Sequence, residues 1–212
     1  AAILRSKLEE GGLLRQIPLR VVPIGGHADI GPFAVDYIGV THSILEAHSV
    51  ALRTPLGTIV HSGDWKLDPD PRVGKLTDEA RLKQLGDEGV LALMGDSTNA
   101  NSEGHSGSEG ALLESMRTLI GQSQGRVAVS LFASNAARIE TVCAAAAAND
   151  RVVVMVGRSL WRTVAAAREC GYLRDLPPLL EDDEGERLPS DHALYLVTGC
   201  QGEQRAALAR IE

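Results

Sequence analysis

The chain of 212 residues is 44% hydrophobic and 23% charged, enough apolar material for a real core and longer than the roughly 150 residues of a typical domain. Its 3 cysteines include no CxxC pair, which excludes a disulfide framework and a cysteine-based structural zinc site and favours the cytoplasm, and no apolar run approaches the ~18 residues of a membrane span. The 21 basic and 28 acidic side chains give a net charge of −7, so bulk charge does not point to nucleic acid, although a local basic groove is compatible with an acidic total.

The opening AAILRSKLEE has no initiator methionine and no long apolar signal core, and Ile211-Glu212 follow directly on a helical pattern, so the chain reads as an internal piece of a longer protein. Short β-type runs predict strands over 19–24, 33–40, 50–54 and 57–63, the last two forming a hairpin around Thr54-Pro55-Leu56-Gly57. A helix over 78–88 and the strand VLALMGD follow. The rhythm then changes to helix and strand in alternation. Helix 108–121 opens on a capping-box pattern, Ser106-x-x-Glu109, and is followed by strand 126–132, helix 135–148, strand 151–156 and helix 159–170. The acidic, proline-rich stretch 174–191 reads as a surface loop before strand 193–198 and helix 203–210. Continuous apolar strands alternating with helices predict an α/β protein with a parallel sheet covered on both faces. The division is 1–95, rich in β-hairpin, and 96–212, built of βα repeats.

Among the 6 histidines, His42 stands out because it closes a predicted strand and opens a polar turn. Asp64 occupies the same kind of place after the hairpin. An imidazole and a carboxylate at adjacent strand ends can share a divalent cation, at ~2.0–2.2 Å for zinc. Ser134 and Asn135 in FASN stand at a strand-to-helix junction, where one of them caps the helix and its first amides can receive an anion. Arg158 and Ser159 form a second such junction, with a guanidinium suited to bidentate phosphate contact. Thr198-Gly199-Cys200-Gln201-Gly202-Glu203 forms a third.

The strings VTHSILEAHSVALRTPLGTIVHSGDWKLDP, LALMGDSTNA, SLFASNAARIE, VGRS and VTGCQGEQRAAL occur in the order seen in ribonuclease J, and the chain resembles that family from about Leu19 to Ile211. The family belongs to the β-CASP branch of the metallo-β-lactamase fold. The resemblance therefore implies a partial metallo-β-lactamase β region joined to a β-CASP domain with a parallel sheet flanked by helices. It implies a zinc-dependent ribonuclease that acts as 5′-to-3′ exonuclease and endonuclease and favours 5′-monophosphate RNA ends. His42 would ligate one of two zinc ions, and Asp64 would bridge both as a catalytic carboxylate. Asp96 would act catalytically by orienting a histidine from a later motif; read from its neighbours alone, it is a strand-end cap to the turn Ser97-Thr98-Asn99. Ser134, Asn135, Arg158 and Ser159 would contact RNA phosphate.

The family's main metal motif, HxHxDH, has no counterpart before His42, where His27-Ala28-Asp29 is only a superficial echo in a Gly-rich turn. The two later histidine motifs are also absent. His48 and His105 read as surface residues, His61 as structural, Trp65 as groove or core, Lys66 as a groove neighbour, and Cys200 as a replacement for serine. With His42 and Asp64 as its ligands, the chain by itself is expected to hold zinc weakly and to be inactive. Its uncovered sheet surface is expected to drive homo-oligomer formation. Two other readings stay open: a non-catalytic module binding RNA or nucleotide phosphate, and a small-molecule metallo-hydrolase, which leaves FASN and GRS without a purpose.

Overall fold

The computed structural model describes residues 1–204 and 206–210. It begins with α1 (Ala2–Glu10), then β1 (His27–Ile30), β2 (Phe33–Gly39), β3 (His48–Thr54), β4 (Gly57–His61), α2 (Glu79–Glu88) and β5 (Ala92–Met94). These strands form one sheet in the order β1-β2-β3-β4-β5, antiparallel throughout except that β5 runs parallel to β4. The hairpin stands where the turn chemistry puts it, with the Thr54 hydroxyl donating to Gly57 O at 2.9 Å and accepting from the Leu56 N–H at 3.1 Å. The Asp78 carboxylate caps α2, which lays Leu82 and Leu85 against Ile38, Ala51 and Val60.

The strand predicted over 19–24 does not form. Pro23 removes a ladder donor from that run and Pro18 immediately precedes it, and the chain turns at Pro23 O, which accepts the Gly26 N–H at 2.9 Å. Pairing with β2 starts instead at His27, opposite Asp36. The supposed Gly-rich echo is thus a strand, and His27 in it bonds Asp36 at 2.7 Å and Asp29 at 3.0 Å.

The second half holds α3 (Leu112–Gly121), β6 (Val127–Ser130), α4 (Ala136–Ala147), β7 (Val152–Val156), α5 (Arg158–Glu169), β8 (Leu179–Leu180), α6 (Asp182–Gly185) and β9 (Ala193–Val197). Its four strands are all parallel, in the order β6-β9-β7-β8. Alternate side chains Val153, Met155, Leu194 and Leu196 share a core with Ile139, Val142 and Cys143 of α4 and Leu160, Val164 and Ala167 of α5. On the opposite face, Gly185 of α6 sits over Val154 and the Tyr195 hydroxyl. The predicted parallel sheet, flanked by helices, is present.

Three local expectations are corrected. The capping box at Ser106 and Glu109 does not form: α3 begins at Leu112 without a side-chain cap, because the Glu109 carboxylate is drawn to Arg138 at 3.1 and 3.2 Å. The stretch 174–191 is not only loop; it contains the edge strand β8 and α6, whose first turn carries the reciprocal Glu181–Glu184 cap. Over 203–210 the described residues form a 3₁₀ turn, Leu208–Arg210, since the Leu208 N–H returns to Thr198 O at 2.9 Å.

The two halves meet closely. Arg72 makes a bidentate pair with Glu140 of α4, with its Nε at 2.6 Å, and Leu45 and Val73 pack into the second core. Helix α1 lies along α5, with Arg5–Glu169 at 2.7 Å and Arg162–Glu10 at 2.8 Å.

Candidate functional site

Strand direction decides what gathers here. β2 and β4 are both antiparallel to β3, and β5 is parallel to β4, so the loops after β2, β4 and β5 leave the sheet at one edge. These loops carry His42, Asp64 and Asp96. The strands bearing His42 and Asp64 are not adjacent as the sequence suggested; β3 lies between them.

Backbone contacts bridge that gap. The Lys66 N–H, two residues past Asp64, donates to Thr41 O, next to His42, at 2.8 Å. Ser62 donates its N–H to Met94 O at 2.9 Å, and its hydroxyl accepts the Asp96 N–H at 2.8 Å. Between them Gly63, at φ +62°, presses on the start of β3, where a Cβ would stand 2.8 Å from the His48 carbonyl oxygen. Only glycine meets both demands cheaply. The His61 ring accepts the Gly63 N–H at 3.0 Å, the structural role expected of it.

His42 is half-buried, and its Nδ1 is wholly buried with no hydrogen-bond partner among the described residues. A buried polar atom in that condition calls for a further group. Asp64 is exposed. The Asp96 carboxylate accepts from the Thr98 hydroxyl at 2.6 Å and the Thr98 N–H at 2.9 Å. These bonds, with the charge of His42 and the Trp65 N–H beside it, hold Asp96 below the usual carboxylate range. Asp96 thus caps its turn and also faces the His42 loop.

An unpartnered imidazole nitrogen and a free carboxylate suit zinc as two of its ligands. They are fewer than the three protein ligands that catalytic zinc usually takes. Among the described residues, the one group of three histidine, cysteine or acidic donors close enough to share an ion is Glu181, Asp182 and Asp183, all exposed on or beside α6.

The phosphate candidates divide. Asn135 caps α4 by accepting the Arg138 N–H at 2.8 Å, as expected, and Ser134 is exposed. The first amides of α4, however, are not open to an anion. Ala136 N–H is taken by Ser134 O at 2.9 Å and Ala137 N–H by Ser43 O at 3.2 Å, and both alanines are buried. The loop after β2 occupies the position that the sequence left to phosphate. Arg158 and Ser159 are exposed where α5 begins after Gly157, a residue at φ +120° that gives the helix no side-chain cap. Both line a cavity of about 1280 Å³ at the ends of β7 and β9, together with Trp161, Arg162, Thr198 and Glu10. Ser134 and Asn135 do not line it.

Sequence reading passed over Asp68. Its side chain is 1% exposed, against Lys66 Nζ at 3.4 Å, and accepts the N–H groups of Asp70 at 3.0 Å and Glu109 at 2.9 Å. Burial by itself would raise its pKa; the Ser108 hydroxyl, the two N–H groups and Lys66 outweigh that and bring it to about 2. The signal was its place in GDWKLDP, four positions after Asp64. His48 and His105 are exposed as expected. Trp65, 42% exposed, belongs to an apolar cavity of about 680 Å³ with Leu67, Leu93 and Asp96.

Residues 124–212 match the family model of the ribonuclease J β-CASP domain. The chain is 46% identical over 196 residues to ribonuclease J of Sinorhizobium meliloti, covering 92% of this chain and 35% of that protein. It is 41% identical to ribonuclease J of Thermus thermophilus (99% of this chain, 37% of that one) and 38% identical to that of Synechocystis (99% and 33%). The chain therefore spans about a third of the length of these curated relatives. A crystal structure of a protein of unknown function from Enterococcus faecalis shares the fold at a TM-score of 0.59 and 18% identity, over 92% of this chain and 51% of that one.

Proposed function

This chain belongs to the ribonuclease J family, and from that premise we propose that a protein carrying it is a metal-dependent ribonuclease that hydrolyses RNA phosphodiester bonds as a 5′-to-3′ exonuclease and as an endonuclease. The observation that carries the reading is the convergence of His42, Asp64 and Asp96 at one sheet edge, with a His42 nitrogen buried and unpartnered. His42 and Asp64 would hold zinc, with the remaining ligands supplied from outside this chain. Two zinc ions bound there would polarise the scissile phosphate and lower the pKa of an attacking water.

The residues of this chain do the rest. Asp64, exposed at the mouth of its turn, faces the reacting groups, while Gly63 and His61 keep the turn in place. Asp96, charged at neutral pH, offers an acceptor that orients an imidazole beside the centre. Arg158 and Ser159 bind RNA phosphate in the cavity at α5, and Ser134 presents its hydroxyl to the strand. Substrate RNA and a cytoplasmic setting go with this activity; no helix among the described residues is long and apolar enough to cross a membrane.

The test is Asp64→Ala in the full-length protein, assayed on 5′-labelled RNA. Hydrolysis should disappear while RNA binding stays largely intact, because the carboxylate serves the metals and not the strand. Wild-type turnover in the variant would remove Asp64 from the centre. A non-catalytic phosphate-binding module is the second reading, favoured by the Arg158 cavity; RNA binding without any hydrolysis in the full-length wild type would establish it.

A further inference from the structure

No sheet ladder sets the spacing between His42 and Asp64, because β3 separates their strands. What spans the gap is the bond from Lys66 N–H to Thr41 O, and the segment containing Lys66 is closed by one buried carboxylate. Asp68 takes the Asp70 N–H and Lys66 Nζ on its own loop and reaches the Glu109 N–H at the threshold of the second half. Glu109 lies 4.0 Å from Lys66 Nζ and also pairs with Arg138 of α4, so two carboxylates and two cations are balanced there. His42, Lys66, Asp68 and Glu109 line a common cavity of about 100 Å³.

From this geometry we infer that Asp68 is a positioning residue for the zinc pair, fixing the loop of Asp64 against that of His42 through Lys66 and Thr41. The inference rests on the ribonuclease reading above. A carboxylate that is 1% exposed and fully bonded holds its loop in one place. Groups behind metal ligands usually govern affinity in this way, and their loss costs about 10–100-fold. Arg72–Glu140 ties the same loop to α4 without touching Asp68, which supplies a control.

The experiment measures zinc affinity of the full-length protein by chelator competition, for wild type, Asp68→Asn, Lys66→Met and Glu140→Gln, each with its thermal midpoint. Asp68→Asn should weaken zinc about tenfold. Lys66→Met should also weaken it, and this is the sharper arm: removing a nearby positive charge would by itself favour a cation, so weaker binding comes from lost positioning. Lys66→Met also leaves the N–H bonds of Asp68 in place should Asp68→Asn fail to fold. Glu140→Gln should leave zinc affinity unchanged whatever it does to the midpoint. Unaltered zinc affinity in Asp68→Asn and Lys66→Met overturns the inference and leaves the ribonuclease reading standing. An equal loss in Glu140→Gln overturns it too, because general loosening would then suffice. A wild type that takes up no zinc overturns both.

Discussion

The Ala137 N–H in the first turn of α4 donates to Ser43 O at 3.2 Å. Ser43 follows His42, so the loop carrying the candidate zinc ligand is seated on the start of a helix from the other half of the molecule. A helix N-terminus satisfies its orphan donors with whatever acceptor is fixed nearby, and here the acceptor is protein. The candidate centre is therefore built across the junction of the two halves, with Arg72–Glu140 and Asp68–Glu109 as neighbouring ties.

Gly63→Ala should destabilise the protein by about 1–3 kcal/mol, the cost of a left-handed non-glycine residue with a backbone clash. The φ of +62° and the 2.8 Å approach to His48 O are the cause. Chemical denaturation measures the loss. In the full-length protein RNA hydrolysis should fall as well, since Asp64 is the next residue.

Ser134→Ala and Asn135→Ala should separate. Loss of the Asn135 cap costs ~0.5–2 kcal/mol of stability, because it leaves the Arg138 N–H without its acceptor. Ser134 is exposed, and its hydroxyl is free for substrate, so Ser134→Ala should keep stability. On the proposed function, it should narrow any preference of the full-length protein for 5′-monophosphate over 5′-hydroxyl RNA. An unchanged preference would take Ser134 out of the phosphate pocket.

Acid stability should depend on Asp68. Its folded pKa of about 2 lies below the ~3.9 of an unfolded aspartate. A depressed carboxylate contributes stability above its unfolded value, here about 2 kcal/mol, and the contribution fades as pH falls through about 2. Urea unfolding of wild type and Asp68→Asn from pH 5 to pH 2 should show a gap that closes toward the acid end. A gap independent of pH would mean that the ionised form of Asp68 is not what the fold selects.

The 212-residue chain, prepared by itself, should self-associate. Leu93 and Met94 on β5 are 70% and 58% exposed, Leu91 just before it is 64% exposed, and β5 is an edge strand. Open apolar edges recruit a partner. Leu93→Lys should shift the sedimentation profile toward monomer. On the proposed ligand pair of His42 and Asp64, the same preparation should take zinc only weakly in calorimetry and should leave 5′-labelled RNA intact.

Local chemistry made much of this legible. The hairpin at Thr54–Gly57, the cap at Asn135, the parallel sheet and the place of His42 and Asp64 in loops after strands follow from turn residues, apolar period and strand-end placement. What escaped depends on the fold's long-range contacts. β1 is short and flanked by glycines, so its strand character exists only through pairing with β2. β8 is two residues long and is held by β7. Asp68 looked like one acid among many until Glu109, 41 positions away, met it. The amides of α4 read as open because nothing in FASN reveals that Ser43 would cover them.

β9, the last strand among the described residues, lies in the middle of its sheet, with β6 on one side and β7 on the other. Those two earlier strands never touch each other, so neither gains a ladder from the other as the chain leaves the ribosome. Closure of the sheet must wait until residues 193–197 have been synthesised and have slid between partners already made. Loops of such span slow folding, and a nascent chain halted before Ala193 would display β6 without a ladder partner in its sheet. The junctions at Ser134 and Arg158 thus acquire their final footing only at the close of translation of this segment, and premature termination there would yield a sticky polypeptide in which the β1–β5 sheet is made and the second half is not.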